Sequence, residues 1–233
     1  PQIRLRLVEH WPAFYLGSIA ADYQSMGDVP REVTHFYPVP MPMDKPVGWE
    51  RLLLDLPALA RSASVDPQSA VFLAAYAAHL HYDVVWYKDI LLPFFWLSDQ
   101  WEGVSRRERL TIHNVLLTYL DSDSLGKLPA SAENTLASAD NPYALPFIQT
   151  DLLNQWHNMI VTQLAPNAPI HTVEIYAERI GITPDKFAAK LRDDDWMQSQ
   201  VFDRVPLDAV HAIFDQALTD SVHLINTYLS LNN

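Results

Sequence analysis

Residues 67–97 read PQSAVFLAAYAAHLHYDVVWYKDILLPFFWL. Asp66-Pro67 has the form of a helix opening, with Asp66 as N-cap and Pro67 in the first turn. The reading predicts one long helix over 67–97, kinked or ended at Pro93. Its nearly unbroken apolar run, Val71–Ala78, leads straight into His79, His81 and Asp83. Polar groups in such a run are costly unless something satisfies them. A buried hydrogen bond, a metal or catalysis would each do so. His79 and Asp83 lie four apart and share a helical face with Phe72, Tyr76, Trp86 and Ile90. His81 lies on a different side.

Working outward, the remaining segments also read as helices. Residues 3–10 form a short segment, and 14–22 (FYLGSIAAD) are apolar with a polar exit. Residues 38–48 must be a loop, because their prolines cannot sit in a helix. Residues 49–64 read as helical. Ser105 and Glu108 match a capping box that opens a helix to about Leu120. Residues 121–142 form a connection with room for one short helix, and 143–164 are helical. Residues 171–180 and 184–193 form a pair joined at Gly181, and Pro206 opens a last helix ending near Leu231. Period-2 strands and repeats are absent. The fold class is all-α: an irregular multi-helix bundle of one domain over 1–233, with a metal site in a cleft between helices.

Composition narrows the chemistry. The chain has 233 residues, no cysteine and a formal net charge of −12. Thiolate zinc sites, disulfides and cysteine nucleophiles are excluded. Glycine, at 6 residues, is too scarce for the glycine-rich phosphate loops, and their patterns are missing. The acidic balance repels nucleic acid and anionic membranes, so no nucleic-acid partner is expected. Five ionisable groups within Val71–Leu97 rule out a lipid-spanning helix there. The first residues lack a signal core, which together with the absence of cysteine points to the cytoplasm. The chain opens on Pro1, so a trimmed leader would instead make the protein secreted.

The His-x-x-x-Asp spacing of His79 and Asp83 recurs at His211 and Asp215, where it reads as a surface helix pair. A buried histidine held by its aspartate satisfies the same spacing without a metal. Two further clusters add weight: EHWPAFYLGSIAADY carries His10 and Asp22, and PREVTHFYPVP carries His35. Together with AAYAAHLHYDVVW, the order His, Asp, His, His-x-x-x-Asp resembles the zinc-dependent phospholipase C family, in the superfamily that also holds the fungal single-strand nucleases. The resemblance covers about the first 90 residues, and the Asp22-to-His35 spacing is close to that of the secreted enzymes.

The resemblance implies that Asp22, His35, His79 and Asp83 surround one zinc. His10 would hold a second metal that shares Asp83 as a bridge. Imidazole and carboxylate suit zinc or another divalent transition metal. The implied activity is phosphoric-ester hydrolysis, with Asp22 orienting the attacking water or taking its proton and a phospholipid or other phosphate ester as substrate. The sequence departs from the family at Ala20-Ala21-Asp22, where a proline usually precedes the aspartate. It also lacks a mature N-terminal tryptophan, since Pro1 precedes His10 by nine residues. The family's third zinc uses two histidines and a carboxylate downstream that nothing here matches, so one or two metals are expected rather than three. His113, the nearest candidate for a further ligand, reads as a partly buried helix histidine. The alternative to an enzyme is a non-catalytic helical metal-binding or interaction protein of the same superfamily.

Overall fold

The computed structural model describes residues 2–140, 145–165, 168 and 172–230. The expected helix starts at residues 143 and 171, the end of the connection at 142 and the expected terminus at Leu231 lie outside them. Among the described residues every regular element is helical, so the all-α class holds. The chain forms two compact units. One comprises residues 1–87, 131–162 and 214–233; the other comprises 88–130 and 163–213. All the candidate metal residues belong to the first unit.

In that unit the order is α1 (Gln2–Glu9), α2 (Trp11–Ala20), a 3-10 segment (Ala21–Met26), α3 (Arg31–His35), α4 (Gly48–Asp55) and α5 (Pro67–Val85). Asp66 caps α5 as expected: its carboxylate accepts from the Ser69 amide at 2.9 Å and the Ser69 hydroxyl at 2.6 Å. Residues 38–47 are the expected loop. The helix expected over 49–64 stops at Asp55, because Pro57 bars its preceding residue from helical geometry; Leu56 sits at φ −131, ψ 65. Two short 3-10 turns carry the chain on to Ser64.

The long helix over 67–97 changes winding rather than ending at Pro93. Beyond Val85 it continues as a π-helix, Trp86–Trp96, with Pro93 inside it. A proline ring collides with the carbonyl four residues back, and the wider i→i−5 register relieves that contact. The Leu97 amide accordingly donates to the Leu92 carbonyl, at 2.9 Å.

The core of the first unit is the seam between α2 and α5. Ala13, Leu16 and Ala20 meet Val71–Ala77, all fully or almost fully buried. Gly17 sets the separation: a Cβ there would stand 2.2 Å from the Phe72 carbonyl oxygen. Later segments close around the seam: α7 (Ala132–Ala137) and α8 (Thr150–Leu164). The Trp156 indole donates to the Ile19 carbonyl at 2.8 Å, and the Tyr23 hydroxyl to the Phe147 carbonyl at 2.6 Å.

The second unit is built on α6 (Arg106–Leu125), which runs past its expected end at Leu120 because the polar DSDSL segment continues the helix. The Ser105 hydroxyl accepts from the Glu108 amide at 3.2 Å, as the capping motif predicts. The unit adds α9 (Thr172–Ile180) and α10 (Pro184–Leu191), joined at Gly181, whose φ of +68 suits glycine. Arg107 holds that corner, donating to the carbonyls of Ile180 (3.2 Å) and Gly181 (2.9 Å). A single-turn α11 (Asp194–Trp196) and a π-helical turn, Met197–Phe202, precede the final α12 (Leu207–Ser230), which crosses from the second unit's residues to the first's.

The seam yields a direct test. Gly17→Ala forces α2 and α5 apart and is expected to destabilise the protein by about 3 kcal/mol, an overpacking penalty. Thermal unfolding of the variant would detect it. A melting temperature equal to wild type would mean that the two helices do not approach at Gly17.

Candidate metal centre

The carboxylate of Asp22 and two imidazoles converge from three segments. Asp22 sits in the first turn of the 3-10 segment that prolongs α2. His35 is the last residue of α3, and His79 lies on α5. One ligand atom from each residue falls within 4.8 Å of the others, the one such group of three among the described residues. The coarse expectation therefore holds: these residues form a cluster able to hold a metal ion.

Each imidazole is oriented by the backbone around it. His79 Nδ1 lies 2.8 Å from the Ser18 carbonyl oxygen. A carbonyl only accepts, so Nδ1 carries the proton, and in the neutral ring Nε2 presents a bare lone pair. That Nε2 is 3.8 Å from Asp22 Oδ2. His35 is fully buried, and its Nδ1 meets the Thr34 hydroxyl at 2.8 Å. The Thr34 carbonyl in turn accepts from the Tyr76 hydroxyl at 2.5 Å, which pins the end of α3 to α5. His35 Nε2 stands 3.3 Å from Asp22 Oδ1 and 3.2 Å from Asp83 Oδ2.

These are ion-pair distances between imidazole nitrogens and carboxylate oxygens. Both Nε2 atoms are buried, and neither makes a well-formed hydrogen bond; His35 Nε2 has only its two carboxylate ion pairs. Such orphans are rare and call for a cause. A cation between the rings and the carboxylate supplies one, because each Nε2 would then be a ligand and each Nδ1 would hold the ring in place. The donor set of two imidazoles and a carboxylate is borderline in softness and suits a divalent transition metal.

The backbone leaving His35 is strained. Phe36 has φ 60, the left-handed region, at a cost of about 1–2 kcal/mol for a non-glycine residue. Burial of its ring edge-on against Phe147, centroids 5.4 Å apart, offsets that cost.

Asp83 stands beside this trio rather than within it. Its Oδ2 accepts from the Arg31 guanidinium and, at 3.2 Å, from the Tyr37 hydroxyl. Arg31 and Tyr37 hold this carboxylate, and neither is among the residues expected from the sequence. His10 occupies the turn between α1 and α2, half-buried, and is not in the group. His113 lies on α6 in the second unit, its Nδ1 3.3 Å from Asn114 Oδ1 and its ring edge-on to Phe95 at 5.0 Å. Burial pushes it down to about 4, so it is a neutral interior histidine.

Electrostatics divide the cluster. Burial works against ionisation of Asp22, but His79 and His35 outweigh it and hold the carboxyl below its ordinary value. Burial likewise opposes the charge on Asp83, and His35, His79 and Arg31 together keep it far below the carboxylate range. His35 is pushed down by burial and raised more strongly by the two carboxylates, ending above the ordinary histidine value.

The chain matches no family model, no curated protein and no solved structure. The geometry therefore stands by itself.

These directions fix a pH dependence. In the metal-free protein the contribution of His35 to stability is complete below roughly pH 6.5 and is lost as the pH rises through its raised value. The carboxylates contribute above about pH 4 and lose that contribution as the pH falls through their depressed values. A metal needs the neutral imidazole, so protons compete with it. Calorimetric titration of a divalent transition metal should give an affinity that rises between about pH 6 and 8, with proton release on binding. An affinity indifferent to pH over that window would mean that His35 is not a ligand.

Proposed function

We propose that the chain is a zinc-dependent phosphoric-ester hydrolase resembling the zinc-dependent phospholipase C family, with Asp22, His35 and His79 as zinc ligands. The observation that supports this reading is the convergence of two buried Nε2 atoms on one carboxylate, one ligand atom from each residue lying within 4.8 Å of the others. A bound zinc would supply a Lewis acid that brings a water's pKa towards neutrality and neutralises the charge developing on a phosphodiester. The remaining work falls to this chain's own groups.

Asp22 is the member of the trio most open to solvent: its side chain is 40% exposed, against 13% for His79 and 0% for His35. One of its oxygens can therefore orient an incoming water or take its proton, while the imidazoles stay in place. Asp83 is kept ionised by His35, His79 and Arg31 and lies beside His35 with its charge balanced by the Arg31 guanidinium. The acidic surface of the chain, at −12, fits a small phosphate ester or lipid headgroup better than a nucleic acid strand. Among the described residues no helix is long and apolar enough to cross a membrane.

A second reading, a non-catalytic protein built around one closed structural ion, draws on the seclusion of the two imidazoles. The two readings separate by coordination, since a catalytic ion keeps an open position and a structural one does not.

Hydrolysis of a chromogenic phosphodiester, measured with added zinc, tests the proposal. The wild type should turn over, and His79→Ala and Asp22→Asn should each lose activity by about 100-fold or more. Bound zinc that raises the melting temperature with no turnover on any phosphate ester would favour the structural ion. Purified protein that binds no zinc at these residues would end both readings.

A further inference from the structure

We propose that the centre takes a single divalent ion and that the Arg31 guanidinium holds the place and the charge of a second one. The inference rests on the metal-centre reading above and deepens it. In the two-ion site that the family resemblance implies, an oxygen of Asp83 would bridge the cations. Here that oxygen is already committed. Asp83 Oδ2 accepts from Arg31 Nη2, accepts from the Tyr37 hydroxyl at 3.2 Å, and lies 3.2 Å from His35 Nε2.

Arg31 is itself held in place. Its Nη2 also donates to the Tyr37 hydroxyl at 2.7 Å, which closes a triangle of Arg31, Tyr37 and Asp83. Its guanidinium carbon lies 5.1 Å from the centre of the Tyr37 ring, within cation–π range. The Arg31 and Asp83 side chains are only 30% and 29% exposed. A guanidinium does not deprotonate in a protein, so the position carries a permanent cation that cannot dissociate. The grouping of ligand atoms agrees: Asp22, His35 and His79 converge, while Asp83 and His10 are not part of that group. A fixed positive charge beside Asp83 neutralises the carboxylate that a second metal would need and repels that metal as well.

Arg31 is on this account a positioning residue acting through Asp83, and its removal has an unusual sign. If Arg31 merely propped the site, Arg31→Ala would weaken metal binding. If it stands in for a cation, Arg31→Ala frees Asp83, 3.2 Å from His35 Nε2, and removes a repelling charge, so binding must strengthen.

The experiment is a competition titration of the full chain with zinc against a chromogenic chelator, with bound zinc counted by elemental analysis and His35→Ala subtracted for surface sites. The wild type should hold one zinc per chain at saturation. Arg31→Ala should bind zinc at least tenfold more tightly or take up a second ion, and Arg31→Lys, which keeps the charge, should hold one. Two zinc ions on the wild type would overturn the proposal without touching the metal centre. Equal or weaker binding by Arg31→Ala would overturn it as well. No zinc on the wild type would remove the metal centre itself. The wild-type count needs no variant to fold.

Discussion

The site depends on one constraint: two acceptors are made to face each other. The Ser18 carbonyl, 2.8 Å from His79 Nδ1, requires the proton on that nitrogen. Whenever that ring is neutral, Nε2 has only a lone pair to show to Asp22, whose oxygens also only accept. Lone pair against lone pair in a half-buried pocket is repulsive unless a proton or a cation lies between. The carboxylates raise His35, and the imidazoles depress Asp22 and Asp83, so the cluster favours positive charge. A divalent ion meets the same demand with more charge and leaves the rings neutral.

That constraint is a product of helix packing. Ser18 is the residue after Gly17, and Gly17 is what lets α2 lie against the backbone of α5. The close approach brings the Ser18 carbonyl within reach of His79, and the same α2 runs on into the 3-10 turn that presents Asp22. From the other side, Tyr76 on α5 grips the carbonyl of Thr34 and so fixes the terminal turn that ends in His35. The buried seam is therefore the frame of the site, and its tight packing is what allows ligand atoms from three segments to meet with little freedom.

Much of this was legible in the sequence. The apolar run entering His79, with Asp66-Pro67 ahead of it, marked α5 by its cap and its composition. Asp22 and His35 were legible as polar residues beside aromatic, apolar segments, and a shared order tied them to His79. Three features were not legible. The change to π winding after Val85 follows from a conflict between Pro93 and the continuing apolar face, and periodicity alone carries no sign of it. Arg31 reads as an ordinary charge at the start of a short helix until tertiary folding sets Asp83 against it across 52 residues. The ring orientations depend on the backbone carbonyl of Ser18 and the hydroxyl of Thr34, which no ligand motif names. Pairwise spacing on a helix is local information, whereas the partners that decide tautomer and charge come from distant segments.

The most direct test of the central claim is an anomalous-difference map at the zinc absorption edge, from crystals of the full chain grown with zinc. The account predicts a single strong peak within coordination distance of His35 Nε2, His79 Nε2 and an Asp22 oxygen, with His79 Nδ1 still on the Ser18 carbonyl. A map with no peak among these three side chains, or with the Nε2 atoms turned to other partners, would contradict it.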